Sequence, residues 1–108
     1  MANGKLGAGS PPAETYTTLY TVPAGTSATF NLSVLNRGSV AVLVRVALSV
    51  EVAIPAPEDF IEFNAGLEGL GAVLERTGLV ASAGEKIMVW ASAANVTFRA
   101  HGIEQETA

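Results

Sequence analysis

The chain lacks cysteine and has a single histidine and a single aspartate, and each shortage excludes a class of chemistry. Without cysteine there is no disulfide, no thiol nucleophile and no thiolate metal ligand. A Ser-His-Asp triad would need both His101 and Asp59, and nothing else about these residues indicates one. One histidine also excludes the usual zinc sites. The sequence therefore predicts no catalytic residue, no metal site and no cofactor, and the protein is not expected to be an enzyme.

Charge is also scarce, since charged residues make up 15% of the chain and the net charge is −4. The six basic residues are scattered singly, which is not the pattern of a nucleic-acid-binding surface. The apolar runs are about five residues long, too short to span a membrane. Hydrophobic residues nevertheless form 49% of the chain. This balance favours a homo-oligomer whose surface is partly covered by neighbours, over a monomer covered by serine, threonine and glycine.

Two further groups of residues resemble binding motifs without matching them. Glu58, Asp59 and Glu62 form the only carboxylate cluster, but the alternating ligands of a calcium loop are missing. The glycines at 66–71 are not followed by the Lys-Ser/Thr of a phosphate loop. A solvated acidic loop and a flexible turn are the expected structures.

The segment Val40–Val52 carries the strongest structural signal of the chain. Its even positions are all valine or leucine, a period of two that predicts a long strand with one face buried. Its other face is apolar in places, so we expect another layer or subunit to cover it. Arg45 is the only charge before Glu51 and is expected to limit aggregation or to form an interface ion pair.

Turn signals separate this strand from others spaced about ten residues apart. Alternation predicts strands at 16–22, 28–34, 60–63, 70–78, 87–91 and 96–101, a short helical turn at Glu58 and Asp59, and a glycine-rich loop over 64–71. Residues 36–39 resemble a hairpin turn, and we expect positive φ at Gly25, Gly38 and Gly84. The predicted fold is all-β: an antiparallel β-sandwich or jelly-roll-like barrel of seven or eight strands.

The first fourteen residues predict a flexible N-terminal arm (1–14) that precedes the β-sandwich domain (15–108), because glycine and proline dominate them. The arm is either a disordered tail or a tether that orders against a neighbouring subunit. The residues expected at an assembly interface are Leu6, Pro11, Pro12, Ala41, Leu43, Arg45 and Trp90. Trp90 with Tyr16 and Tyr20 also suggests a platform on which a sugar stacks, with an aromatic subunit contact as the alternative.

Two segments, Thr18–Ser49 and Val73–Glu106, resemble small β-sandwich structural proteins of tailed bacteriophage virions, of the head decoration or cement type. The resemblance lies in the turn motifs VPAG at 22–25, NRG at 36–38, RTG at 76–78 and SAGE at 82–85. It implies a virion component without catalysis that is assembled in the host cytoplasm and contacts other virion proteins such as the major capsid protein. It brings no binding residues with it.

The expected function is therefore that of a capsid decoration protein whose many copies stabilise the head shell. A component of the neck, tail or fibre is the alternative within the same class. A carbohydrate-binding β-sandwich module is the alternative from another class.

Overall fold

The computed structural model describes residues 3–107 and shows eight strands with one short helix. The strands are β1 (Asn3–Gly9), β2 (Thr17–Thr21), β3 (Thr26–Asn36), β4 (Val42–Ser49), β5 (Phe60–Leu67), β6 (Val73–Ser82), β7 (Lys86–Ala91) and β8 (Val96–Glu106), with a 3₁₀ helix at Pro57–Asp59 before β5. The expected helical turn at Glu58 and Asp59 is this helix.

The strands form two antiparallel four-stranded sheets, in the orders β1-β8-β3-β6 (sheet A) and β2-β7-β4-β5 (sheet B). The first strand pairs with the eighth, the second with the seventh, the third with the sixth and the fourth with the fifth. This is the strand order of a jelly roll, in which one long antiparallel ribbon folds over itself. The sandwich prediction is confirmed, and the two sheets do not close into a barrel.

The core lies between the inner faces of the two sheets, and the period of two on β3 builds one wall of it. Ala28, Phe30, Leu32 and Val34 are buried, as the alternation predicted, while Thr29 and Asn31 face solvent. Sheet B supplies the opposite wall, mainly from β4 and β7. Each large apolar side chain buried here contributes about 1.5–3 kcal/mol.

β4 is shorter than the predicted strand and does not bury one face throughout. Val40, Val50 and Val52 lie outside the strand and are exposed, so the prediction is wrong at both ends of the segment. Its ladder with β7 runs only from Val44 to Ser49. Near the end of β4 the outer face is buried as well, because Ala47 is fully buried but lies outside the core cluster. The 3₁₀ helix lies against β4, which explains the burial of side chains on its outer face.

Three of the expected turns differ from the structure. Residues 36–39 connect sheet A to sheet B rather than forming a hairpin, and Gly38 does not have positive φ, so that prediction was wrong. Gly25 and Gly84 have φ of 75° and 87°, as predicted. The strand expected to end at Gly78 continues to Ser82, with a register shift opposite β3 at that point. Residues 64–67 belong to β5, so only the second half of the expected glycine-rich loop is a loop.

The N-terminal segment contains a strand over Asn3–Gly9. β1 pairs with β8 from Asn3 to Gly9, Leu6 packs against the core, and Pro11 is buried. The sequence predicted little secondary structure here, and β1 corrects that expectation for Asn3–Gly9. Residues 1–2 of the predicted arm lie outside the described residues, and the division into an arm (1–14) and a domain (15–108) stays a prediction.

The connections meet at the two ends of the sandwich. At one end, the loops after β1, β3, β5 and β7 are joined by hydrogen bonds, for example from Arg37 N to Asn95 O and from Leu70 N to Gly38 O. We call this the four-loop end. At the other end the loops after β2, β4 and β6 meet, with Val22 N donating to Glu85 O. The fully buried Asn36 holds the four-loop end together, since its amide donates to the carbonyls of residues 40, 67 and 68.

Candidate interaction site

The most distinctive group of side chains lies on the outer face of sheet B, around Arg45 of β4. Arg45 pairs in register with Trp90 of β7. On its other side β5 has a bulge, because Phe63 and Asn64 both lie between the pairs that flank Arg45. Asn64 has a φ of 54°, a left-handed conformation that asparagine tolerates better than most residues. The bulge therefore brings two side chains of β5 to one position of β4.

The Arg45 guanidinium makes contacts with four side chains. Its central carbon lies 3.9 Å from the centroid of the Trp90 ring and 4.4 Å from that of Phe63. Its Nε donates to Asn64 Oδ1 at 2.7 Å, and its Nη1 donates to the Tyr16 hydroxyl oxygen at 2.9 Å. Two cation–π contacts and two hydrogen bonds fix the orientation of a side chain that is otherwise among the most flexible.

Further aromatic rings surround this group. The Tyr16 ring lies 6.2 Å from Phe60 and 6.4 Å from Trp90, and Phe60 meets Phe63 edge to face at 5.0 Å. Phe63 remains 56% exposed, so one wall of the group is open to solvent. We call these six residues the Arg45 cluster: Tyr16, Arg45, Phe60, Phe63, Asn64 and Trp90.

The Arg45 cluster holds a positive charge without a counter-charge. No carboxylate of residues 3–107 forms an ion pair with Arg45, whereas Arg76 pairs with Glu62. An interface ion pair of Arg45 would be made with another chain, so that expectation stays a prediction. The cluster presents aromatic surface, hydrogen-bond donors and one positive charge.

Three of the seven residues predicted at an interface share this face. Leu43 precedes Arg45 on the outer face of β4, and Trp90 lies beside it on β7. Ala41 is exposed just before β4. The other three predicted residues lie in the N-terminal segment, where Leu6 packs on the chain's own core, Pro11 is buried and Pro12 is exposed. The structure thus brings together Leu43, Arg45 and Trp90 and separates them from Leu6.

The three aromatic residues suggested as a sugar platform are not together. Tyr16 and Trp90 belong to the Arg45 cluster, but the guanidinium covers one face of the Trp90 ring. Tyr20 packs against the core and donates to Glu104 of sheet A, joining the two sheets. Burial, followed by the hydrogen bond to Glu104 and the charge of its carboxylate, raises the pKa of Tyr20 above its ordinary value. Tyr20 therefore links the two sheets and does not lie beside Tyr16 and Trp90.

The residues considered for catalysis or metal binding lie apart. His101 is on β8 of sheet A, while Asp59 is in the 3₁₀ helix that lies against sheet B. Glu62 is engaged by Arg76. Within the described ranges no three His, Asp or Glu side chains form a group that could hold a metal ion. No helix found between residues 3 and 107 is long and apolar enough to cross a membrane.

Sequence reasoning missed Phe63 and Asn64 as partners of Arg45, and it missed Phe60 as a neighbour of Tyr16 and Phe63. Phe60 and Phe63 were expected in a strand, but the contact of Phe63 with Arg45 depends on the bulge. The signal available in the sequence was Asn64, a residue that tolerates left-handed backbone, inside an otherwise strand-like segment.

Comparison of the chain with family models, with curated proteins and with solved structures found no significant match.

Proposed function

We propose that the chain is a non-enzymatic structural protein of a tailed bacteriophage virion, a decoration protein that binds the head shell in many copies. The observation that carries this proposal is the exposure of large apolar side chains at both ends of the sandwich. Val52 and Ile54 are 84% and 67% exposed in the loop after β4. Val40 and Leu70 are 73% and 87% exposed at the four-loop end.

Exposing these large apolar side chains to water is unfavourable for a protein that acts alone. Leu70 combines its exposure with a φ of 62°, a left-handed conformation that costs a non-glycine residue about 1 kcal/mol. Apolar groups at two opposite ends suit a subunit that contacts different neighbours at each end of the molecule. Many modest contacts of this kind sum to a stable lattice.

The resemblance of the turn segments to phage virion proteins supports the assignment to a virion that is assembled in the host cytoplasm. The jelly-roll topology is compatible with it, since viral capsid domains use this fold, but lectin domains do so as well. The neck, tail or fibre is the alternative location. A carbohydrate-binding module is the alternative function, and the covered face of Trp90 makes it the weaker one.

Binding to isolated particles tests the proposal. Heads purified from a phage stock that lacks this protein are mixed with the purified chain, and binding is followed by co-sedimentation. We expect saturable binding to heads, with a copy number set by the shell symmetry, and greater resistance of the heads to heat. Binding to tails alone, or to glycans and not to particles, would contradict it.

A matched pair of variants identifies the contact. Val50 and Val80 are similarly exposed, at 63% and 64%, but Val50 is in the apolar loop after β4 and Val80 is on β6. We expect Val50→Ser to weaken binding to heads and Val80→Ser to leave it within about twofold.

A further inference from the structure

Among the cations of residues 3–107, Arg45 combines hydrogen bonds with contacts to aromatic rings and has no ion-pair partner. Arg76 is neutralised by Glu62. Arg37 donates to the hydroxyl groups of Thr97 and Ser10 but touches no ring. In the part of the chain that the structure describes, only Arg45 lies over aromatic rings. The two rings keep part of the guanidinium from water, which strengthens its attraction for an anion at its edge.

Three hydrogen-bond donor groups of the Arg45 cluster have no acceptor among residues 3–107. Tyr16 accepts from Arg45 through its hydroxyl oxygen, and its own hydrogen has no acceptor among residues 3–107. Asn64 accepts through Oδ1, and its amide NH₂ has no acceptor there either. The Nη2 group of Arg45 also has no acceptor among residues 3–107. Three donor groups around one positive charge match an acceptor with several lone pairs, which a carboxylate has.

We propose that the Arg45 cluster is a binding site for the carboxylate of an acidic side chain on a partner protein. This inference rests on the proposed function, because it names the group through which the shell protein is held. The carboxylate approaches the Nη2 edge of Arg45 and accepts from Tyr16 and Asn64, while the apolar part of the acidic residue packs on the open ring of Phe63.

The composition of the surface favours a protein as the partner. Arginine, tyrosine and tryptophan are the residues most enriched at the energetic centres of protein interfaces, and all three are present here. The neighbouring Leu43 is 43% exposed, which extends the apolar rim. A single guanidinium on a chain of net charge −4 does not suit a polyanion such as nucleic acid. Because contacts already made within the chain fix Arg45, binding loses little side-chain entropy.

Titration with small probes tests the chemistry directly. The Arg45 Nε–H resonance is followed by NMR at constant ionic strength, with N-acetylglutamate N-methylamide, its glutamine counterpart and sodium glucuronate as probes. We expect a saturable shift with the glutamate probe, and affinity weaker by about tenfold or more for the glutamine probe. Equal effects of these two probes, or no shift with either, would overturn the proposal. Tighter binding of glucuronate than of the glutamate probe would overturn the assignment to a protein partner.

One variant distinguishes loss of probe binding from loss of folding. Asn64→Asp places a carboxylate of the chain's own beside Arg45, in a backbone conformation that aspartate also tolerates. We expect it to keep the wild-type unfolding midpoint and to lose probe binding by about tenfold or more. If Asn64→Asp folds normally and binds the glutamate probe as well as wild type, the proposal that the Arg45 cluster binds a carboxylate is wrong.

Binding to heads then links the site to the partner. We expect Arg45→Met to weaken binding by about tenfold or more, and Arg99→Met, at an exposed cation on sheet A, to change it by less than about twofold. If wild type binds heads and Arg45→Met and Asn64→Asp bind equally well, the carboxylate site is wrong and the proposed function stands. If wild type does not bind heads, the proposed function fails, and with it the shell protein as the source of the carboxylate.

Discussion

Gly102 lies at a close approach of the backbones of β8 and β3. A Cβ atom at this position would overlap the carbonyl oxygen of Thr29 and lie 2.6 Å from the Cα of Phe30. Both are backbone atoms that cannot rotate away, so Gly102→Ala must push two central strands of sheet A apart. We expect it to lower the free energy of unfolding by at least about 2 kcal/mol, measured by urea denaturation.

Gly66 of β5 is the matched control for Gly102. A Cβ there meets no atom within 4 Å, and its φ is not positive, so Gly66→Ala should change stability by less than about 0.5 kcal/mol. Equal stabilities of the two alanine variants would show that the contact between β8 and β3 is looser than described.

Tyr20 should make stability depend on alkaline pH. Its pKa is raised in the folded state by burial and by Glu104, so the folded protein holds this proton more tightly than the unfolded chain. The contribution is complete below the ordinary tyrosine pKa of about 10 and is lost as the pH rises above it. Stability measured from pH 8 to 11.5 should therefore fall more steeply for wild type than for Tyr20→Phe.

The same substitution removes the hydrogen bond between the sheets, so Tyr20→Phe should cost about 1 kcal/mol at neutral pH. Parallel curves for the two proteins above pH 10 would mean that Tyr20 does not titrate differently on folding.

Arg45 shows what can be predicted at the scale of one residue. Its sequence neighbours mark it as an isolated charge in an apolar strand, and on that basis the sequence predicts an interface role. Its contacts with Trp90 and Phe63 depend on strand register and on a bulge 18 residues away, which local alternation does not encode. The sequence therefore marks the residue but not its surroundings, and the interface role of Arg45 stays a prediction.

At the scale of elements, β1 belongs to the sandwich. It adds a fourth strand to sheet A, and Leu6 covers part of the core. We expect Leu6→Ala to lower the free energy of unfolding by about 1–2 kcal/mol, less than for a fully buried leucine. Lys5→Ala, at the exposed neighbour on the same strand, is the control and should have little effect. An unfolding midpoint unchanged by Leu6→Ala would show that the segment behaves as the loose arm that the sequence predicted.

β3 and β4 explain why some strands were predicted better than others. Every inward position of β3 is buried because the strand is paired on both sides along most of its length. The segment Val40–Val52 has an equally regular pattern, but β7 offers only six residues for pairing and the chain turns away after Ser49. Alternation thus identifies which residues can face a core, whereas the length of the neighbouring strand determines how many do.

For β1 the sequence signal was misleading in another way. Its glycines indicate a loop by composition, but Gly7 is needed because a Cβ there would overlap the Leu19 carbonyl of β2. A glycine in a strand often marks such a close approach of two backbones. Leu19 lies about a dozen residues away and in the other sheet, so the sequence alone does not reveal the approach.

At the scale of the whole molecule, the exposed apolar ends should cause self-association. The chain combines them with few charges, and we expect oligomers at tens of micromolar in sedimentation velocity. Val52→Ser combined with Ile54→Ser should shift the distribution toward monomer without lowering the unfolding midpoint, because neither side chain is packed in the core. A wild-type protein that sediments as a folded monomer would remove this expectation.

Cryo-electron microscopy of intact particles from a phage that encodes this chain tests the central claim most directly. The account predicts sandwich-shaped densities of about 46 × 26 × 19 Å at symmetry-related positions on the head, with the outer face of sheet B against a neighbouring protein and an acidic side chain beside Arg45. Heads without such densities, or the protein present only at the neck, tail or fibres, would contradict it.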